Sequence, residues 1–197
     1  MDFPAARDYI LYRLEHELDQ RLVYHSFIHT VDVFRASTEL CMLEALSEED
    51  QRLVETAALY HDAGMLTRYE NHEESSALMA SEILPQFNYS TDQIGVIGDL
   101  IRSTRLPQMA STILGKILCD ADLDYLGRDD FFVNSFKLKL EWQLYGINNY
   151  SLFEWFILQE DFLQRHDYFS EPAKKLRNEG KTRNVSSIQA LIQQRSK

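Results

Sequence analysis

The sequence predicts an all-α protein built as a single compact helical domain, and three observations carry that expectation. Apolar residues recur at three- and four-residue spacing along almost the whole chain, the period of a helix with one buried face. Alternating apolar and polar runs, and tight hairpin signals such as Asn-Gly, are absent. Backbone breakers are scarce, with 7 Gly and 4 Pro among 197 residues.

Taken in order, helices are expected over about 4–20, 26–45, 48–62, 72–86, 91–104, 109–126, 129–146, 151–168 and 186–195. In the first, His16 lies between Glu15 and Glu17 and reads as solvated, as does His166 between Arg165 and Asp167 in the eighth. The second places His29 on one face with Val33, Ala36 and Leu40. The third opens at Ser47-Glu48-Glu49-Asp50, close to a capping box, and carries His61 on the stripe of Val54, Ala57 and Ala58 before Gly64. The fourth begins after Asn71, a capping residue three positions ahead of Glu74. The sixth aligns Asp122 with Leu118 one turn before and Leu126 one turn after, and Gly127 marks its stop. The seventh ends at Gly146. From Phe131 to Phe169 the chain is rich in aromatics, among them Trp142, Tyr145, Tyr150, Phe153, Trp155 and Phe156. Helically spaced aromatics are core material, so these are expected to pack against the ligand-bearing helices, with one or two lining a pocket.

The bulk numbers narrow the function. A composition of 45% hydrophobic and 26% charged residues is that of an ordinary globule. No apolar run approaches the ~20 residues needed to span a bilayer, and the amino terminus lacks the order of a secretory signal, so no membrane role and a cytoplasmic location are expected. The net charge of −11 argues against a nucleic-acid polymer as partner. Cations do cluster late in the chain, at Lys174, Lys175, Arg177, Lys181, Arg183, Arg195 and Lys197. They read as a solvated helix and tail, or as a segment that folds back toward an anionic substrate. Cys41 and Cys119 lie far apart in apolar stretches and read as small core residues. Without an export signal, the Asn-x-Ser sequons at Asn88, Asn149 and Asn184 carry no meaning.

Helical phase directs His29, His61 and Asp122, on three different helices, toward the core, with Asp62 beside His61. Singly, each has a plain reading: a lone inward His is commonly a hydrogen-bonded core residue, and Asp62 is commonly a turn residue. A buried Asp demands a partner, however, and one divalent cation accounts for all four. Two imidazoles and two carboxylates form a mixed N/O site suited to metal-activated water, and suit Mn, Fe, Co, Ni, Zn or, less readily, Mg.

His29, then His61-Asp62 within Ala58-Leu59-Tyr60-His61-Asp62-Ala63-Gly64-Met65, then Asp122, resemble the H…HD…D signature of the HD superfamily of metal-dependent phosphohydrolases. Asn71-His72-Glu73-Glu74-Ser75-Ser76-Ala77 resembles the "HE…SA" segment of its small stand-alone members, and Cys119-Asp120-Ala121-Asp122-Leu123-Asp124-Tyr125-Leu126-Gly127 their "DADLxxLG" segment. The likeness runs from about residue 20 to 185 and implies the HD-type helical fold. Locally, Tyr24-His25-Ser26-Phe27-Ile28-His29-Thr30-Val31-Asp32-Val33 is similar to the YHNxxHAxDV element of cyclic-nucleotide phosphodiesterases. There the first His donates a proton to the leaving group and the second binds metal, which makes His25 a candidate acid and His29 a ligand. Ser26 stands where that family has Asn, and the purine-clamping Gln region has no counterpart, so cyclic-nucleotide specificity does not follow.

The implied chemistry is hydrolysis of a phosphomonoester or phosphodiester, with a nucleotide or similar small phosphorylated metabolite as substrate. Asp62 would orient the attacking water and His25 would protonate the leaving oxygen. His72, in the first turn of a helix, is placed to meet a phosphate or a second cation. Arg68, Arg102, Arg105, Lys116 and Arg128 are candidate phosphate cations, with Arg105 and Lys116 assigned to substrate. No further His occurs between residues 73 and 165, and Thr104 stands where one is sought, which favours one tightly held ion. The alternatives are an inactive HD protein that binds a nucleotide or partner, and a di-iron oxygenase.

Overall fold

The computed structural model describes residues 1–195, the side chain of Arg195 excepted, and among them every regular element is a helix. The α-helices are α1 (Phe3–Glu17), α2 (Phe27–Leu43), α3 (Glu48–Tyr60), α4 (His72–Ile83), α5 (Thr91–Ser103), α6 (Ile113–Asp122), α7 (Phe131–Leu144), α8 (Leu152–Arg165) and α9 (Glu171–Arg195). Short 3-10 turns at Ala63–Leu66, Leu84–Phe87 and Asp124–Gly127 follow α3, α4 and α6. None of the helices is long and apolar enough to cross a membrane. The chain groups into two compact units, one of Met1–Asp19 with His25–Asp122, the other of Gln20–Tyr24 with the chain from Leu123 onward.

In the first unit α3 is the axis. From Leu53 to Tyr60 every residue is buried, so this helix is covered all round, by α1, α2, α5 and α6. Small residues at Ala57 and Ala58 let the neighbours approach closely. The polar groups it carries inward are satisfied: Glu55 takes bonds from Arg52, Thr38 and Gln51, Thr56 pairs with Tyr89 at 2.8 Å, and Tyr60 donates to the Ala6 carbonyl. Ser47 caps the helix by accepting the Asp50 N–H at 3.1 Å, as its sequence suggests. Asn71 behaves otherwise. It adopts a left-handed conformation (φ 56°) and makes no side-chain cap to α4.

Two other departures concern helix limits. The sixth helix begins at Ile113 rather than near 109, because Thr112 Oγ1 accepts the Gly115 N–H and starts it there, and it ends at Asp122 in a 3-10 turn. The last helix begins at Glu171, fifteen residues ahead of the expected start. Ser170 Oγ accepts the Ala173 N–H, and Pro172 occupies a first-turn position where its missing N–H costs nothing.

In the second unit, Gly127 and Gly180 meet backbone to backbone. A Cβ on Gly180 would overlap the Gly127 carbonyl, so Gly127 serves close approach here as well as ending a turn. Asp124 and Arg177 form an ion pair across the same contact, and Asn184 donates to the carbonyls of Leu126 and Arg128. The aromatic residues pack on one another: the Trp142 and Trp155 rings are 5.5 Å apart, and Phe132, Phe136 and Phe156 cluster. Glu141, fully buried, accepts the Tyr24 N–H at 2.8 Å. The late cations are engaged locally, Lys174 with Glu171, Arg183 with Glu179 and Lys181 with Asp167, while Lys197 and the Arg195 side chain lie outside the described residues.

Candidate metal centre

Four elements of the first unit bring the sequence-predicted ligands together. His29 projects from the first turn of α2, whose start is fixed by Ser26 Oγ accepting the His29 N–H. His61 is the residue that closes α3, and Asp62 follows it into the 3-10 turn. Asp122 is the last residue of α6. His72 is the first residue of α4. Gly64 makes the last placement possible: a Cβ there would overlap the His72 carbonyl oxygen and press on Ser75 and Ser76. Its N–H instead donates to Ser76 Oγ at 2.8 Å, which draws the start of α4 against the His61-Asp62 turn.

The donor atoms converge. His29 Nε2 lies 3.3 Å from Asp122 Oδ1, 3.6 Å from Asp62 Oδ2 and 3.4 Å from His61 Nε2. His61 Nε2 lies 3.1 Å from Asp62 Oδ2 and 3.5 Å from Asp122 Oδ1. The other oxygen of Asp62 turns away, toward His72 Nε2 at 3.3 Å. The result is two groups of potential ligands, His29–His61–Asp122 and His25–Asp62–His72. His25, on the segment ahead of α2, has its ring 5.3 Å from that of His72 and 6.2 Å from that of His29.

The rings of buried His61 and half-buried His72 are oriented from behind. His61 Nδ1 sits 2.8 Å from the Ala58 carbonyl and His72 Nδ1 3.0 Å from that of Tyr69. A carbonyl only accepts, so each Nδ1 carries a hydrogen, and each Nε2 of the neutral ring points its lone pair into the site. The electrostatics are those of a cation site. Burial opposes the charged form of His61, yet Asp62 and then Asp122 outweigh it and hold its pKa well above the usual value. His72 is raised as well, against burial, by Asp62 and by the acid Glu73. Burial also works against the carboxylates, but the facing His29 and His61 bring Asp122 down to about 2, and His61 and His25 hold Asp62 low. Asp62 Oδ2 is nonetheless buried with no properly formed hydrogen bond among the described residues. An orphaned carboxylate oxygen facing two imidazole Nε2 atoms only 3.4 Å apart fits a divalent cation.

The remaining sequence-predicted residues are placed less centrally. Arg105 is exposed just beyond α5, and Lys116 is half-buried on α6. No hydrogen bond or ion pair among the described residues ties either one to the centre. Arg68 donates to Ser75, Arg102 is paired with Glu74 and Asp99, and Arg128 with Asp130 and Asp124. Thr104 is buried and bonded to the Ile101 carbonyl, and both cysteines are buried and free, with thiols pushed by burial up to about 12. One residue at the centre escaped the sequence reading. Gln108 Nε2 donates to Asp122 Oδ2 at 3.1 Å, and a loop amide carries no signal that would announce it.

Comparison with known proteins bears on the fold and the family. Over 84 residues, 41% of this chain and 53% of the relative, the chain is 33% identical to an uncharacterized protein of Clostridium beijerinckii, so it spans about half the length of that relative. In fold it is similar to the crystal structure of a predicted HD superfamily hydrolase from an uncultured Thermotogales bacterium. That likeness has a TM-score of 0.65 at 20% identity and covers 97% of this chain and 91% of the other. Residues 26–124, a span that holds His29, His61, Asp62 and Asp122, match the HD domain, and the chain belongs to that family.

Proposed function

We propose that this chain hydrolyses a phosphomonoester or phosphodiester with the help of a divalent metal ion, its substrate being a nucleotide or a similar small phosphorylated metabolite. The observation that supports this most is the orphaned Asp62 Oδ2, buried between the Nε2 atoms of His61 and His29 at 3.1 and 3.6 Å. His29, His61, Asp62 and Asp122 would hold the ion, and the donor set suits Mn, Fe, Co, Ni, Zn or Mg. When bound, such an ion supplies Lewis acidity toward a phosphoryl oxygen and lowers the pKa of its water.

The other tasks belong to the protein. Asp62 accepts a hydrogen bond from the attacking water and orients it for in-line displacement. In its protonated form, which Asp62 favours against burial, His72 donates from Nε2 to an anionic phosphate oxygen, aided by the N–H groups at the start of α4. His25, beside His72 and Asp62, delivers the proton that the leaving oxygen needs. Arg105 and Lys116 are the cations proposed to meet the rest of the substrate. The hydrolase named in the related fold supports the same reaction class.

Release of phosphate or of the alcohol from nucleotides, cyclic nucleotides and sugar phosphates, screened with each metal, tests the reading. Turnover of at least one class is expected, with complete loss in Asp62→Ala. Full activity in that variant overturns the scheme, and metal binding without turnover of any ester hands the site to a binding role. The second donor group gives the di-iron oxygenase alternative its footing, and dioxygen consumption by iron-loaded protein tests it.

A further inference from the structure

The segment between α5 and α6, residues 104–112, is tied down at both of its ends. The Ser103 carbonyl accepts the Met109 N–H at 3.3 Å and the Cys119 thiol at 3.2 Å, which fastens the end of α5 to the loop and to α6 together. Gln108 therefore extends from a fixed root. Its Nε2 donates to the Cys119 carbonyl at 3.3 Å and to Asp122 Oδ2 at 3.1 Å. Both acceptors lack hydrogens, so the amide nitrogen, and not the amide oxygen, must face them. Asp122 is thereby divided: Oδ2 is held by Gln108, while Oδ1 stands 3.3 and 3.5 Å from the Nε2 atoms of His29 and His61.

We propose that Gln108 is a positioning residue of the metal centre. By occupying one Asp122 oxygen and anchoring it to α6, it presents the other as a single, oriented ligand. The inference rests on the metal-dependent reading above and assigns to this chain an outer support that lies outside the H…HD…D residues. Such partners fix ligand direction, and their loss weakens metal binding.

The test is Mn2+ affinity of the full chain by titration calorimetry, with the visible spectrum of the Co2+ form as a report on coordination. Gln108→Met keeps the length and flexibility of the side chain but cannot donate, and Gln108→Lys retains a donor. The Met variant is expected to bind Mn2+ about 10- to 100-fold more weakly, with an altered Co2+ spectrum, while its metal-free unfolding midpoint stays close to the wild type. The Lys variant is expected to recover part of the loss. In an Asp122→Asn background the Met change is expected to cost nothing further, since the two act through one carboxylate. Should the Met variant fail to fold, Gln108→Ala is read in the same way. Wild-type affinity and spectrum in Gln108→Met, or additive losses with Asp122→Asn, overturn the assignment while the metal centre stands. A wild type that binds no cation overturns the metal centre and the assignment with it.

Discussion

Adding one methyl group at Gly64 measures how closely the two halves of the centre are pressed together. Gly64 has no positive φ, so Ala is conformationally acceptable there and any cost is one of contact. The new Cβ would overlap the His72 carbonyl oxygen and lie 2.8 Å from both Ser75 Cβ and Ser76 N. These are backbone atoms or the root of a side chain in the first turn of a helix, so none can swing aside. Relief requires the start of α4 to retreat by about 1 Å, and overpacking of this kind costs roughly 3 kcal/mol. For a chain of this size that lowers Tm by roughly 6–12 °C. The same retreat opens the 3.3 Å contact between His72 Nε2 and Asp62 Oδ1, and for the proposed hydrolysis a displacement of that size is expected to cost about 100-fold in kcat/KM. Gly95 supplies the control. It is exposed on α5 with nothing within 4 Å of an added Cβ, so Gly95→Ala is expected to stabilise by about 1 kcal/mol through helix propensity. Urea unfolding of both variants is the assay. A Gly64→Ala protein within ~0.5 kcal/mol of the wild type, or a loss in Gly95→Ala, refutes the reasoning.

Two further outcomes follow from the second unit. Gly180→Ala, although a change that ordinarily favours a helix, is expected to destabilise by about 3 kcal/mol because its Cβ would overlap the Gly127 carbonyl, and thermal unfolding reads the sign directly. His166, expected to be solvated, instead has both ring nitrogens buried without a hydrogen-bond partner among the described residues, and burial, reinforced by Lys181, lowers its pKa to about 4. The unfolded chain, with an ordinary value near ~6.5, binds the proton more tightly, so stability is intact above that pH and is lost as pH falls toward 4, by about 2 kcal/mol between pH 7 and 5. Denaturant titrations at the two pH values are expected to show this loss in the wild type and a smaller one in His166→Phe, and equal losses in both refute the assignment to His166.

The parts of this protein that were legible in its sequence are those written in periodicity and in spaced polar residues. His29, His61 and Asp122 were placed by helical phase, and they meet because α2, α3 and α6 pack as their apolar faces require. The first half of α9 was not legible. It is a polar, basic stretch with little apolar periodicity, in which Pro172 sits where a helix tolerates it and Gly180 is needed for contact with Gly127. The start of α6 was misplaced because Thr112, a capping residue, lies within a run that could continue a helix in either direction. The partition of donors was hidden for a different reason. His72 comes to Asp62 through the Gly64 contact, His25 joins it from the segment ahead of α2, and Gln108 comes to Asp122 through a loop; these are tertiary facts with no local signature.

Metal content of the purified protein beside His61→Ala, by inductively coupled plasma mass spectrometry, tests the central claim most directly. His61 has its Nδ1 spent on the Ala58 carbonyl and is almost wholly buried, so its removal would take away a proposed ligand at the heart of the centre. The account predicts about one or two equivalents of a divalent transition metal in the wild type and loss of that metal in the variant. Metal absent from both proteins, even after incubation with divalent cations, contradicts it.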